Sequence, residues 1–215
     1  MMLSGDPRAW LDFIEDQVPI LLDLIIAAWN EMPPIRADAL EDPTTESLCR
    51  GLRRHRAAAS LPFRIDTQLV ELDPAEGERQ GRMDIVFSPM VPDEAYYFCL
   101  ECKRLNVVQE GRRRSLAAEY VREGVLRFVR RQYGRHVQHG GMLGYVLDGR
   151  VPEAIRNVRR QIETHRPALG LIPDGLARSR FAGHLDHVLE SSHVREQHSP
   201  PFLLQHVFVA AQNTL

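Results

Sequence analysis

Apolar side chains between residues 8 and 31 recur at Trp10, Ile14, Val18, Leu21, Leu22, Ile25 and Trp29, a spacing of three or four that places them on one helical face. Pro19 is expected to kink this helix or divide it in two, and Pro33-Pro34 to end it. A second helix is expected after Pro43. Thr44 or Thr45 would cap it, and it would run through Leu48, Leu52 and the basic residues Arg50, Arg53, Arg54 and Arg56. The pattern then shortens to strand-like runs at Phe63 to Leu72, Arg82 to Phe87 and Tyr96 to Lys103. Pro74, Gly77, Gly81, Pro89 and Pro92 punctuate the linkers.

Helical spacing returns from about Ser115 to Tyr133, where Leu116, Tyr120, Val121, Val125, Phe128 and Val129 share a face. Gly140-Gly141 introduces a fourth strand, Met142 to Leu147, and residues 152–166 read as another helix. The stretch 167–201 is rich in loop signals, with a short helix expected near Phe181 to Leu189. Phe202 to Ala210 reads as a final strand. The order helix, three strands, helix, strand indicates an α/β layer arrangement around one sheet. Residues 1–40 read as an N-terminal helical extension and 41–215 as the α/β domain.

Composition adds a segregation of charge. The net charge of the 215-residue chain is −2, yet residues 101–135 carry Lys103 and nine arginines against four glutamates, while acids dominate residues 1–49. The basic block could meet phosphates, or serve only as a solvated face. The longest oily stretch, Val18 to Trp29, is broken by Asp23 and too short to span a bilayer. No basic region leads into an apolar one after Met1, so a cytoplasmic protein is expected.

Lys103 is the one lysine among 27 lysines and arginines. Lysine offers a compact charge with a tunable pKa, which the arginine fork does not. Glu101 lies two residues before it. On a strand these two side chains project together, while Leu100 and Cys102 project oppositely. Asp84 lies in the preceding strand and reaches Glu101 if the two strands pair. Two close carboxylates call for a cation between them, and oxygen ligands of this kind suit Mg²⁺. A lysine beside them can orient or help deprotonate an attacking water and stabilise developing charge. Such an assembly is suited to phosphodiester hydrolysis.

Asp84, Glu101-Cys102-Lys103, the preceding helix with Glu46 and the following helix–strand pair resemble the PD-(D/E)XK nuclease superfamily over residues 44–148. The resemblance implies a restriction-endonuclease-like αβββαβ core with a central mixed sheet. It further implies Asp84 and Glu101 as ligands of Mg²⁺ or Mn²⁺, the Cys102 carbonyl as a third, Lys103 as the catalytic lysine and Glu46 as an assisting helix glutamate. Met83 stands where the motif's name has proline. A surface ladder of Glu101, Lys103 and Arg104 on a sheet edge is the competing structural reading.

Arg53, Arg54, Arg112, Arg113, Arg114, Arg127 and Arg131 are the candidates for gripping a nucleic-acid backbone, giving salt-sensitive and sequence-independent binding. No base-reading module is evident, so specificity is expected from a partner subunit, and cleavage of both strands would call for a homodimer. Cys99-Leu-Glu-Cys102 has redox spelling, but within a strand residues three apart face opposite sides, which suits buried core thiols. His184, His187, His193, His198 and His206 could share a metal or be ordinary polar histidines, and His193 with Arg195 could contact phosphate. The expected function is metal-dependent cleavage of DNA, in defence against foreign DNA or in repair. The alternative is a non-catalytic subunit using the same fold to bind nucleic acid or protein.

Overall fold

The computed structural model describes residues 7–72, 74–90, 95–196 and 199–212. The first apolar stripe forms α1 (Pro7–Asn30), which continues through Pro19. Val18, Leu21 and Leu22 around the proline are fully buried, and this packing offsets the hydrogen bond the proline removes. At the end of α1 the Trp29 indole donates to the Ala210 carbonyl at 2.9 Å and stacks on Tyr145. The residues expected as an extension thus bury their apolar stripe in the same cluster as Leu48, Ile85 and Leu143.

The second helix, α2 (Glu41–Ala58), begins two residues before Pro43 rather than after it. Proline is tolerated in a first turn, where amide hydrogens have no helical partner. Neither threonine caps: Thr44 Oγ1 donates back to the Leu40 carbonyl, and Thr45 Oγ1 pairs with the Tyr145 hydroxyl. The earlier start makes Glu41 a first-turn residue.

The next elements are β1 (Phe63–Val70), β2 (Arg82–Pro89) and β3 (Phe98–Leu105), followed by a small hairpin of β4 (Val107–Gln109) and β5 (Arg112–Arg114). The expected long helix is α3 (Ala117–Tyr120), a π-helical turn (Val121–Val125) and α4 (Leu126–Val129). It stops short of Tyr133 because Arg131 adopts a left-handed φ of 61° and turns the chain back. β6 (His139–Val146) and α5 (Val151–Thr164) follow. After β7 (Ala177–Arg178), turns replace the helix expected near Phe181 and lead to β8 (Val188–His193) and β9 (Phe202–Ala210). β8 is buried along nearly its whole length, so its sequence lacks the alternation that marks a half-exposed strand.

Seven strands form one mixed sheet in the order β1-β2-β3-β6-β9-β8-β7, with β3, β6 and β9 mutually parallel. One face packs on α1 and α2, and the other on the α3–α4 run and α5. The residues of β3 alternate between them: Phe98, Leu100 and Cys102 belong to the first core, Cys99 and Leu105 to the second. Among the described residues no helix is long and apolar enough to cross a membrane.

Candidate active site

The antiparallel ladder of β2 and β3 pairs Phe87 with Phe98, Val86 with Cys99 and Ile85 with Leu100. One step further lies Asp84, and its carboxylate accepts the Cys102 amide at 2.7 Å through Oδ2. Glu101 and Lys103 project together from β3, with Lys103 Nζ 2.8 Å from Glu101 Oε1. The structure therefore brings Asp84, Glu101 and Lys103 to one end of the β2–β3 pair. The surface-ladder reading does not hold, because β3 is an interior strand and Glu101 is only 1% exposed.

Burying Glu101 requires compensation, since an unpaired charge in the interior costs several kcal/mol. Its Oε1 accepts from Lys103 and from Arg127 Nη1 at 3.0 Å, and its Oε2 accepts the Tyr133 hydroxyl at 2.5 Å. The π-helical turn lies directly over this carboxylate: a Cβ on Gly124 would sit 3.6 Å from Glu101 Cγ and 2.3 Å from Met142 Cε. Glycine at 124 thus permits the close approach that carries Arg127 to the site.

Lys103 is the hub. Its ammonium also donates to Glu41 Oε1 at 2.8 Å and to the Cys102 carbonyl at 2.9 Å. Glu41 Oε2 in turn accepts the Arg104 amide at 3.1 Å. Burial disfavours the charged lysine, but the carboxylates of Glu101, Glu41 and Asp84 outweigh it and hold the ammonium well above the ordinary lysine range. Asp84 shows the opposite imbalance. Burial and the neighbouring Glu101 push its carboxyl up to about 7, against the pull of Lys103 and the Cys102 amide.

Glu46 is not part of this assembly. Five helical positions after Glu41, it is rotated by about 140°. Its side chain is 63% exposed and lies 4.0 Å from Arg50. Glu41 is the helix glutamate that reaches the lysine, and placing the start of α2 too late hid it. Gln68 was also missed. Its Nε2 donates to Asp84 Oδ1 at 3.1 Å, from a backbone held at φ 55° within β1. Strained residues of this kind cluster at functional sites, but a lone glutamine in a strand gives no sequence signal. Tyr133, expected only as the end of a helix, donates its hydroxyl to Glu101.

The arginines divide. Arg127 sits at the site. Arg53 donates to the Ile65 carbonyl and lies 3.7 Å from Asp66, and Arg54 is exposed on α2. Arg112 and Arg114 are exposed on β5, whereas Arg113 beside them is held by Asp148 and Glu153. Arg131 is ion-paired with Glu196. Arg113 and Arg131 are therefore engaged by carboxylates rather than presented to phosphate.

His193 is fully buried in a relay running from the Leu169 carbonyl through His193, Ser191 and His206 to the Tyr120 hydroxyl, so it cannot contact phosphate. Arg195 covers the Phe202 ring and donates to the Gly134 and Val137 carbonyls. His184 lies 4.0 Å from Asp23, and His198 falls outside the described residues. Cys99 and Cys102 are buried free thiols in opposite cores.

Among the described residues no group of three or more His, Cys, Asp or Glu side chains is placed to hold a metal ion. Mg²⁺ commonly takes only one or two carboxylates and keeps several waters. The donors here are all oxygen, which suits Mg²⁺ or Mn²⁺. Glu101, Glu41 and the Cys102 carbonyl already converge on one cation, the Lys103 ammonium. Asp84, Glu101 and the Cys102 carbonyl offer oxygens of the type such an ion takes; the Cys102 thiol, turned into the opposite core, does not. Comparison of the chain with protein-family models, with curated proteins and with solved structures finds no match.

Proposed function

We propose that this chain is a metal-dependent nuclease that hydrolyses phosphodiester bonds in DNA, built on a restriction-endonuclease-like core of the PD-(D/E)XK kind. The observation that carries the reading is the meeting of the buried Glu101 carboxylate, the half-buried Asp84 carboxylate and the one lysine at the end of β2 and β3. The succession α2, β1, β2, β3, helical run and β6, with β6 parallel to β3, supports the core assignment.

A bound Mg²⁺ or Mn²⁺ would supply an acidified water and positive charge beside the phosphoryl oxygens. Asp84, Glu101 and the Cys102 carbonyl would hold it. Tyr133 and Arg127 fix the Glu101 carboxylate, so its oxygens need little reorganisation. Asp84 must be ionised to act as a ligand, and in the metal-free chain burial and Glu101 raise its pKa to about 7, so binding the ion would displace a proton near neutrality. Lys103 is held as an ammonium, which suits it to donate to the attacking water or to a phosphoryl oxygen rather than to accept a proton. Glu41 keeps the lysine side chain directed at the site.

One observation favours a second reading. Every contact of Glu101 and Lys103 is already satisfied within the chain, as in a structural ion cluster. The protein would then bind nucleic acid or a partner without cutting.

Incubation of plasmid and single-stranded DNA with Mg²⁺ or Mn²⁺ separates the two. The nuclease reading expects metal-dependent cutting by the wild type that is lost in Lys103→Ala and in Asp84→Ala. Folded wild type that cuts neither substrate supports the binding role, and cutting that survives both substitutions overturns the site.

A further inference from the structure

Outside Glu101, a cleft of about 460 Å³ opens along the π-helical turn and α4. Its walls include Arg79, Arg122, Arg127 and Arg130 together with Glu78 and Glu123. Arg127 joins the cleft to the site, since the same guanidinium donates to Glu101 Oε1. Glu123 steadies Arg127 from the other side at 3.7 Å.

The remaining three arginines differ from those held by carboxylates. Several guanidinium groups elsewhere are tied to carboxylates, such as Arg166 to Glu163, Arg180 to Glu190 and Arg178 to Asp186. Arg79, Arg122 and Arg130 are exposed and make no ion pair among the described residues. Holding three such cations around one concavity costs self-repulsion that an anionic ligand would relieve. The lining carries no aromatic side chain on which a base could stack. Guanidinium forks suit phosphate oxygens.

We propose that this cleft holds the phosphodiester backbone of a nucleic acid immediately beside the bond presented to Asp84, Glu101 and Lys103, gripping phosphates without reading bases. The inference rests on the nuclease reading for which bond is presented, but the grip itself does not require cutting. Arg127 serves both places, so its guanidinium sets the distance between the strand and Glu101.

The test is a salt series of fluorescence-anisotropy titrations with labelled DNA duplexes of two unrelated sequences, in EDTA. Wild type is compared with the triple variant Arg79→Gln, Arg122→Gln, Arg130→Gln. Loss of three phosphate contacts should make the slope of log K against log salt shallower by about 2 to 3, because each neutralised phosphate contributes roughly 0.9. The same loss is expected for both sequences, with an unchanged melting temperature because the three side chains are exposed. Equal slopes and affinities for the two proteins overturn the proposal, as does wild type that binds neither duplex. Plasmid cleavage with Mg²⁺ separates this inference from the nuclease reading. Weakened binding by the triple variant with an inert wild type leaves the cleft standing without the nuclease; an active wild type matched by the triple variant in both binding and cutting does the reverse.

Discussion

Asp84 Oδ2 accepts the Cys102 amide hydrogen at 2.7 Å, so a side chain of β2 takes over where the backbone ladder to β3 reaches Ile85 and Leu100. The contact does two things. It satisfies a buried backbone donor, and it fixes the aspartate where burial and the neighbouring Glu101 raise its affinity for a proton, against the smaller opposing pull of the amide itself.

The linkage sign for Asp84 follows from that raised pKa. The native state binds the proton more tightly than the unfolded chain, so this group's contribution is present at low pH and is lost as pH rises from about 4 through about 7. Asp84→Asn keeps an acceptor for Cys102 and removes the charge. In EDTA at pH 8 it should be more stable than wild type by on the order of 1 kcal/mol, or about 2–4 °C in Tm for a chain of this size. It should also abolish metal-dependent cutting. Differential scanning calorimetry at pH 5 and pH 8 checks this, and a variant less stable than wild type at pH 8 contradicts it.

At Mg²⁺ concentrations below saturation, metal-dependent cutting by wild type should rise with pH through about 7, because the metal-free Asp84 must lose its proton to bind the ion. A pH–rate profile that stays flat from pH 6 to 8 would count against Asp84 as a ligand.

Tyr133→Phe removes the hydroxyl that donates to Glu101 Oε2. A hydrogen bond to a charged group contributes about 1.5–3 kcal/mol, and urea denaturation should show a loss in that range. The Mg²⁺ concentration needed for half-maximal cutting should increase, because Glu101 would no longer be held from that side. A variant that is destabilised but needs no additional Mg²⁺ would limit Tyr133 to a packing role.

Gly124→Ala would gain about 1 kcal/mol of helix propensity on an exposed helix. Here the added methyl meets Met142 Cε at 2.3 Å and Glu101 Cγ at 3.6 Å. Overpacking typically costs about 1–3 kcal/mol, so net destabilisation and weaker cutting are expected. Chemical denaturation of the variant gives the sign directly.

The buried relay predicts acid sensitivity. Burial pushes His206 down to about 3 and His193 to about 4. Both are therefore neutral when folded and bind protons on unfolding. Their contribution is complete above about pH 6.5 and is lost as pH falls towards those values. At pH 5 each should weaken the fold by on the order of 2 kcal/mol. Urea titrations at pH 7 and pH 5 should show a smaller difference for His193→Gln than for wild type.

The parts of the site governed by local periodicity were legible in the chain. The two-residue repeat of a strand put Glu101 and Lys103 on one face and sent Cys102 to the other, and the loop-linked strands brought Asp84 within reach. The mixed α/β class followed from the succession of three-and-four and two-residue patterns in the same way. Tertiary structure decided the partners. Glu41 rather than Glu46 meets Lys103 because α2 begins before Pro43, a boundary set by packing and not by a visible cap. Tyr133 reaches Glu101 because Arg131 turns left-handed after α4, and Gln68 reaches Asp84 from a strained position on an adjacent strand. Periodicity records which face a residue occupies, since that depends on backbone geometry alone. Which distant side chain meets it depends on how whole elements pack, and a single sequence carries no local trace of that choice.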